Sequence, residues 1–423
     1  MLIKSYYTIH LHINIREVMK NMNKTAILSV TIFIIFCLTV SSLSFAPYTP
    51  TRTIATSGTI EPSTGIYKHL VAYGYSKGFT DEKIEFISSH FDMLDTHWYD
   101  DVRVRESIVK LKQGNPRLIV IIYISAPSAS PAISYYGDWS EIDLHEDWFL
   151  HDVDGNRLQI VWKSGWYGMD IRSEGWREHL ADWCATLFEK CPHIDGIFVD
   201  NAWKIFLHNL WTVPKEKIPI EYGQTWHEDM KSLLRLIKGR IGNKLLIANT
   251  QDTADYVDVC DGIMSEGFVH PKWHSNFDFR YNATYFINAL SEISKKGKYF
   301  MAHSGARLDG TEADTRRVML YCLASYLLGY HGDKTTFGWI NIHGVSRGYC
   351  KEFDDAKQIG SPINEYYSIG SVYARDFAEG KVLVNPTTSS YTVDLKSECK
   401  TLDGQTVSSV TLNAHSGIIL LRS

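Results

Sequence analysis

Residues 194–200 read IDGIFVD, and residues 261–266 read DGIMSE. Each stretch includes Asp-Gly followed by a short apolar run, and each ends on a carboxylate, Asp200 in the first and Glu266 in the second. Short apolar runs bounded by polar residues are typical of strands buried on both faces. In parallel α/β folds the active site lies at the C-terminal ends of the strands, so both carboxylates are candidates for chemistry. The opening Asp residues lie at the opposite ends and are not expected to take part.

Similar apolar runs recur along the chain and alternate with helical patterns. The strand candidates are 69–75, 91–97, 117–124, 194–200, 244–250, 261–266, 298–304 and 335–341. The helical patterns begin near Thr80 and then cover 102–113, 174–190, 226–241, 283–296 and 312–329. Eight strands alternating with helices over about 270 residues predict an α/β fold, a (β/α)8 TIM barrel. An open doubly wound sheet is the alternative, but no glycine-rich phosphate loop follows the first strand.

The remaining segments predict how the chain is divided into domains. The barrel is assigned to residues 67–370, after a linker at 47–66 that is rich in Pro, Thr and Ser. Residues 371–423 contain short alternating segments with turn signals at Asn385-Pro386 and Asp403-Gly404. This pattern predicts a small antiparallel, β-sandwich-like domain at the C-terminus.

The N-terminal 46 residues contain an apolar stretch from Ala26 to Ala46, preceded by Lys20 and Lys24. Its composition predicts a cleaved signal peptide, and an uncleaved membrane anchor is the alternative. Either interpretation places the rest of the chain outside the cell or at its surface. Membrane contact is expected only if the segment is uncleaved.

Charge and cysteine content exclude several classes of partner. Without residues 1–46 the net charge changes from −5 to −8, because that segment carries four basic residues and one acidic residue. An acidic chain without a basic run is a poor nucleic-acid binder. No Cys-x-x-Cys pair is present, so a structural zinc site is not expected. No metal and no cofactor are predicted. No specific disulfide is predicted, and Cys322 is expected in the core. The oligomeric state is left open.

Two carboxylates on nearby strands fit the chemistry of glycoside hydrolysis, which needs one carboxyl group on each side of the anomeric carbon. Asp200 is predicted to be the nucleophile and Glu266 the general acid/base. The structural alternative is that both acids cap helices or pair with Arg at the barrel rim. Ten residues, most of them at or near strand ends, are candidates for substrate binding: Tyr73, His97, Trp98, Tyr123, Asp170, Asn201, Trp203, Asn249, His303 and Trp339. For Asp170, stabilisation of the turn before the helix at 174–190 is an equal alternative.

Three segments carry a family resemblance: residues 123–126 (YISA), residues 169–177 (MDIRSEGWR) and residues 195–201 (DGIFVDN). The chain resembles the hypothetical glycosyl hydrolase-like family 15 and the endo-α-1,4-polygalactosaminidases of glycoside hydrolase family 114 over roughly residues 67–345. In polygalactosaminidase-type barrels an Asp ends strand four and a Glu ends strand six, which matches Asp200 and Glu266. The resemblance therefore implies hydrolysis of an α-linked glycan. The long connection at 125–193 departs from the compact family pattern, in a region where loops set specificity.

Two other functions are compatible with the same fold. His270 and His274 lie four residues apart after Glu266, and with Asp200 they would suit a metal-dependent hydrolase. Pro271 between them argues against an uninterrupted helix. A catalytically inactive carbohydrate-binding barrel is the other alternative, since it would keep an aromatic pocket without needing both acids.

Overall fold

The computed structural model describes residues 68–72, 78–98, 101–131, 136–137, 139–161, 164–250, 254–270, 282–306, 311–341 and 348–423. All of them belong to one compact unit, Ser63–Ser423. The predicted signal peptide and linker lie outside the described residues.

Eight strands form one parallel sheet in chain order. They are β1 (His69–Ala72), β2 (Met93–Thr96), β3 (Ile119–Ser125), β4 (Gly196–Asp200), β5 (Leu245–Asn249), β6 (Gly262–Glu266), β7 (Tyr299–Ala306) and β8 (Thr335–Asn341). A parallel bridge between Lys68 and Phe337 joins the last strand to the first. The predicted barrel is confirmed, and each strand coincides with a predicted apolar run.

Among the described residues, seven helices of six or more residues accompany the strands. They are α1 (Asp81–His90), α2 (Asp101–Gly114), α3 (Glu174–Lys190), α4 (Trp226–Ile241), α5 (Ala283–Lys295), α6 (Glu312–Gly329) and α7 (Lys351–Ala356). Thr80, Ser173 and Thr311 cap three of them by accepting a backbone N–H three residues on. Between β5 and β6 the described residues, 254–261, form turns where a regular barrel has a helix.

Side chains that point into the barrel occupy two levels. One level is an apolar cluster, with Phe198, Ile247, Met264 and Met301 among its members. Because strand side chains alternate in direction, the residues two positions further along β4 to β7 also point inward. Those residues are Asp200, Asn249, Glu266 and His303. The barrel therefore carries a polar level above the apolar one, at the C-terminal strand ends.

The Asp-Gly pairs have a structural role at the N-terminal end of the barrel. Asp195 accepts the N–H of Val120 and the ammonium of Lys112, and Asp261 accepts the N–H of Leu246 and the ammonium of Lys238. Asp92 accepts the N–H of Lys68 in the same way before β2. Each Asp therefore ties the start of its strand to the preceding one, far from the strand ends that carry Asp200 and Glu266.

The glycines of these pairs allow close packing at the same end of the barrel. A Cβ on Gly196 would overlap the backbone of Leu245, and one on Gly262 would overlap Tyr299. The Asp-Gly pairs thus stabilise the barrel wall. This agrees with the expectation that the Asp residues, at the opposite strand ends from the carboxylates, take no part in the chemistry.

The C-terminal part is an antiparallel sheet of six strands. They are β9 (Tyr367–Ile369), β10 (Val372–Phe377), β11 (Gly380–Asn385), β12 (Tyr391–Thr401), β13 (Thr406–Leu412) and β14 (Ser416–Arg422), in the order β9-β10-β11-β14-β12-β13. The turn predicted at Asp403-Gly404 joins β12 to β13. All six cysteines after residue 46 are free, and Cys322 is buried in the core as predicted.

Arg375 fastens this sheet to the barrel. Its side chain is buried, and its Nη1 donates to the carbonyls of Leu327, Leu328 and Tyr330 at the end of α6, at 3.0, 2.9 and 2.8 Å. These carbonyls lie at the end of the helix, where carbonyl groups lack hydrogen-bond donors within the helix. The positive charge of Arg375 is also attracted to the negative end of the helix dipole.

We expect Arg375→Met to lower the free energy of unfolding by about 2–4 kcal/mol, because it leaves buried carbonyls without donors. Urea unfolding followed by circular dichroism measures the change. Lys400→Met, at an exposed position on β12, is the control. Equal effects of the two substitutions would show that Arg375 does not hold the sheet in place.

Candidate active site

Asp200 and Glu266 meet across the side chain of Asn249. The three residues end β4, β6 and the intervening β5. Asn249 Nδ2 donates to Asp200 Oδ1 at 2.8 Å and to Glu266 Oε2 at 2.7 Å. Since one nitrogen contacts both oxygens, the two oxygens lie no more than the sum of these distances apart, 5.5 Å. Asn249 is buried, whereas both carboxylates are partly exposed.

The second oxygen of Asp200 is held from β3. Tyr123 donates its hydroxyl hydrogen to Asp200 Oδ2 at 2.7 Å. Asn201 follows in a left-handed conformation (φ 59°), which Asn tolerates better than most residues, and its Nδ2 donates to Ser125 Oγ at 2.9 Å. Both oxygens of Asp200 thus accept from side-chain donors, an arrangement that suits a carboxylate.

The pKa of Asp200 reflects two opposing influences. Burial raises it, and the negative charge of Glu266 raises it further, while the hydrogen bonds from Tyr123 and Asn249 oppose the rise. Two carboxyl groups this close do not lose their protons independently, so they titrate as a pair. The donors around Asp200 favour its ionised form.

A pair of histidines completes the polar level of the barrel. His303 on β7 is in register with Glu266 on β6. His303 Nδ1 lies 2.9 Å from His69 Nε2, and His69 Nδ1 lies 2.8 Å from Thr336 Oγ1. Burial lowers the pKa of His69 to about 3, so this imidazole is neutral. His303 was among the predicted site residues, whereas His69 was not, because it lies at the start of its strand.

The other predicted site residues have varied environments. The ring of His97 is buried 4.5 Å from the ring of Tyr123. Three tryptophans, Trp98, Trp203 and Trp339, are 4%, 7% and 3% exposed and belong to the hydrophobic core. Their burial favours packing over an open sugar platform, and the platform role stays a prediction. Tyr73 lies outside the described residues.

Asp170 makes the contacts expected of the local alternative. Its carboxylate accepts from the backbone N–H and the guanidinium of Arg172, and its carbonyl accepts from the N–H of Ser173, the cap of α3. A role in binding a sugar hydroxyl stays a prediction.

The residues of the metal hypothesis are only partly described. His270 is buried, and its Nδ1 lies 2.8 Å from the carbonyl oxygen of Gly305. His274 lies outside the described residues. Within the described part of the chain, no group of three or more His, Cys, Asp or Glu side chains is arranged to hold a metal ion.

Comparison with known families agrees with this geometry. The pattern of the hypothetical glycosyl hydrolase family 15 matches residues 112–381, more than half of the chain and the part that carries both carboxylates. The chain belongs to this family. Membership of this family makes the protein a glycoside hydrolase, as the sequence resemblance implied. Its relation to glycoside hydrolase family 114 stays a prediction.

The chain is also distantly similar to solved structures. Bacillus licheniformis trehalose-6-phosphate hydrolase is 13% identical, with 85% of this chain and 99% of that chain covered and a TM-score of 0.46. A Flavobacterium johnsoniae GH31 dextranase variant with isomaltotriose is 10% identical (86% and 52% covered, TM-score 0.47), and Aspergillus fumigatus Ega3 with galactosamine is 13% identical (69% and 96%, TM-score 0.39). Likeness at this level does not indicate a substrate. A search of curated proteins gave no match.

Proposed function

We propose that this protein is an exported glycoside hydrolase that cleaves a poly- or oligosaccharide with retention of anomeric configuration. Asp200 acts as the nucleophile and Glu266 as the general acid/base. The observation that carries the proposal is the Asn249 amide, which donates to both carboxylates at once.

The spacing of the carboxylates supports a retaining mechanism. Carboxyl groups lie about 5–5.5 Å apart in retaining enzymes, and about 6.5–9.5 Å apart in inverting enzymes, which need room for a water molecule. The distance between Asp200 Oδ1 and Glu266 Oε2, at most 5.5 Å, is compatible with the retaining range and shorter than the inverting range.

The proposed reaction has two steps. In the first, Glu266 gives its proton to the glycosidic oxygen while Asp200 attacks the anomeric carbon, which yields a glycosyl ester and a free leaving group. In the second, the Glu266 carboxylate takes a proton from water, and that water releases the sugar from Asp200. Both residues return to their starting states.

The nearby donors match the charge changes in these steps. Tyr123 and Asn249 stabilise the ionised Asp200 carboxylate before it attacks, and they stabilise it again when hydrolysis restores the carboxylate. Because Asn249 is buried and held on a strand, it keeps the two carboxyl groups at a fixed separation.

The substrate class follows from the family, and the substrate details are proposed from the loops. Family membership supports a carbohydrate substrate, and the resemblance to polygalactosaminidases favours an α-linked glycan. The long connection between β3 and α3 begins next to Asp200, whose carbonyl accepts the N–H of Ala126. Its ribbon at Ser128–Ala129 and Tyr167–Gly168 is anchored by a hydrogen bond from the Met169 N–H to the Pro127 carbonyl. We propose that this connection selects the glycan.

Export is proposed from the apolar stretch between Ala26 and Ala46, with an extracellular or cell-surface location. That stretch lies outside the described residues. None of the helices in the described ranges has the length and apolar character that a membrane crossing requires.

A glycan screen tests the proposed activity directly. Residues 47–423 are incubated with a panel of α- and β-linked glycans, and new reducing ends are measured. We expect release from at least one α-linked glycan by the wild type and far less release by Glu266→Gln. Binding of a glycan without turnover by the wild type would instead support an inactive carbohydrate-binding barrel.

A further inference from the structure

Gly338 lies inside strand β8, where glycine is unfavourable unless another group needs the space. It is in register with His303 on β7. A Cβ at this position would overlap the ring of His69, with Nε2 the nearest atom. The missing side chain thus leaves room for the His69 ring to pass over β8 and reach His303.

Four positions therefore form one row around the barrel wall. Glu266, His303 and Gly338 are in register on β6, β7 and β8, and His69 reaches over Gly338 from β1. Both imidazoles are almost fully buried, at 1% and 2% exposed, so neither offers much surface to a substrate.

We propose that His303 is a positioning residue for the acid/base Glu266 and that His69, which passes over Gly338, fixes the His303 ring. This inference rests on the proposed function. His303 and His69 act through Glu266 and do not contact the glycan.

Hydrogen-bond geometry supports this assignment. His303 Nδ1 is engaged by His69, and the two nitrogens of an imidazole point in divergent directions. The Nε2 edge of His303 therefore points away from His69. The backbone reinforces the contact, since the His303 carbonyl accepts the N–H groups of Gly267 and Phe268, which directly follow Glu266.

The neutral state of His69 determines how the two imidazoles can share hydrogen bonds and charge. A neutral imidazole has one N–H, so His69 donates through one ring nitrogen and accepts through the other. The pair then carries at most one positive charge, on His303. The titratable groups that point into the same level are Glu266 from β6, His69 from β1, Asp200 from β4 and His97 after β2, with Asp95 below on β2.

Substitutions that break the pair test the inference in activity. We expect Gly338→Ala and His303→Gln each to lower kcat by about 10–100-fold, with little change in KM and with a shifted alkaline limb of the kcat/KM profile. Gly239→Ala is the matched control, because a Cβ there meets no atom within 4 Å, and kcat should not change. Unchanged kcat and an unchanged pH profile in both folded variants would overturn the proposal.

A second measurement does not depend on activity. With ¹⁵N-labelled histidine, the His69 ring should stay neutral across the range in which ordinary histidines titrate, and its signals should change in Gly338→Ala. The His303 signals should move in Glu266→Gln. If they do not respond to Glu266→Gln, the positioning role is wrong even if glycans are cleaved. If they respond but no glycan is cleaved, the proposed function fails and the structural pair remains.

Discussion

Asp200→Asn should lower kcat/KM by about 10⁴-fold or more, because an amide cannot form the glycosyl ester that the second step hydrolyses. The side chain keeps its size, so the barrel should fold and still bind the glycan. Burial and the charge of Glu266 raise the pKa of Asp200. An acid with a raised folded-state pKa costs stability as the pH rises above its unfolded value. The variant should therefore be as stable as the wild type or more stable at neutral pH.

Kinetics on the glycan found in the screen, with a thermal melt, measures both effects. Asp195→Asn is the matched control, since it removes the acid at the other end of the same stretch. It should lower stability and leave kcat nearly unchanged. The wild type should also release its product first in the substrate's own anomeric form, as seen by NMR. An inverted product would mean that Asp200 is not a nucleophile.

The fold and the two carboxylates were accessible from sequence for a shared physical reason. Strands of a parallel barrel are buried on both faces, so they appear as isolated apolar runs, and the residue that ends each run marks the C-terminal face. Asp200, Asn249 and Glu266 end three consecutive runs. Their mutual hydrogen bonds were not accessible, because they depend on the stagger of neighbouring strands and on side-chain directions.

Neighbouring residues at strand ends show the limit of this reasoning. Side chains alternate in direction along a strand, so the adjacent residues His97 and Trp98 point to opposite faces. An error of one residue in the strand register would exchange which of the two faces the barrel interior. The sequence named both as substrate-binding candidates, and the structure places Trp98 in the hydrophobic core. His69 was also hard to predict because the feature that points to it is Gly338, a glycine within a strand 269 residues away in sequence. Only the fold shows that the His69 ring occupies the space left by this glycine.

Glu266→Gln should remove the proton donor of the first step and the proton acceptor of the second. We expect kcat to fall by about 10²–10⁴-fold on the natural glycan, whose leaving group needs protonation. The loss should be smaller for a substrate with an acidic leaving group such as nitrophenol. The same substitution should also change one limb of the pH profile, because each limb reports one proton of the pair.

The alkaline limb of kcat/KM, which reports the loss of the acid's proton, should disappear. The acidic limb, which reports the ionisation of Asp200, should stay nearly in place, because Glu266 is still protonated and uncharged over the pH range in which Asp200 ionises in the active form. Asp261→Asn, at the start of the same strand, should change neither limb. A large shift of the acidic limb would mean that Glu266 is already charged when Asp200 ionises. In that case Glu266 would not be the proton donor of the first step.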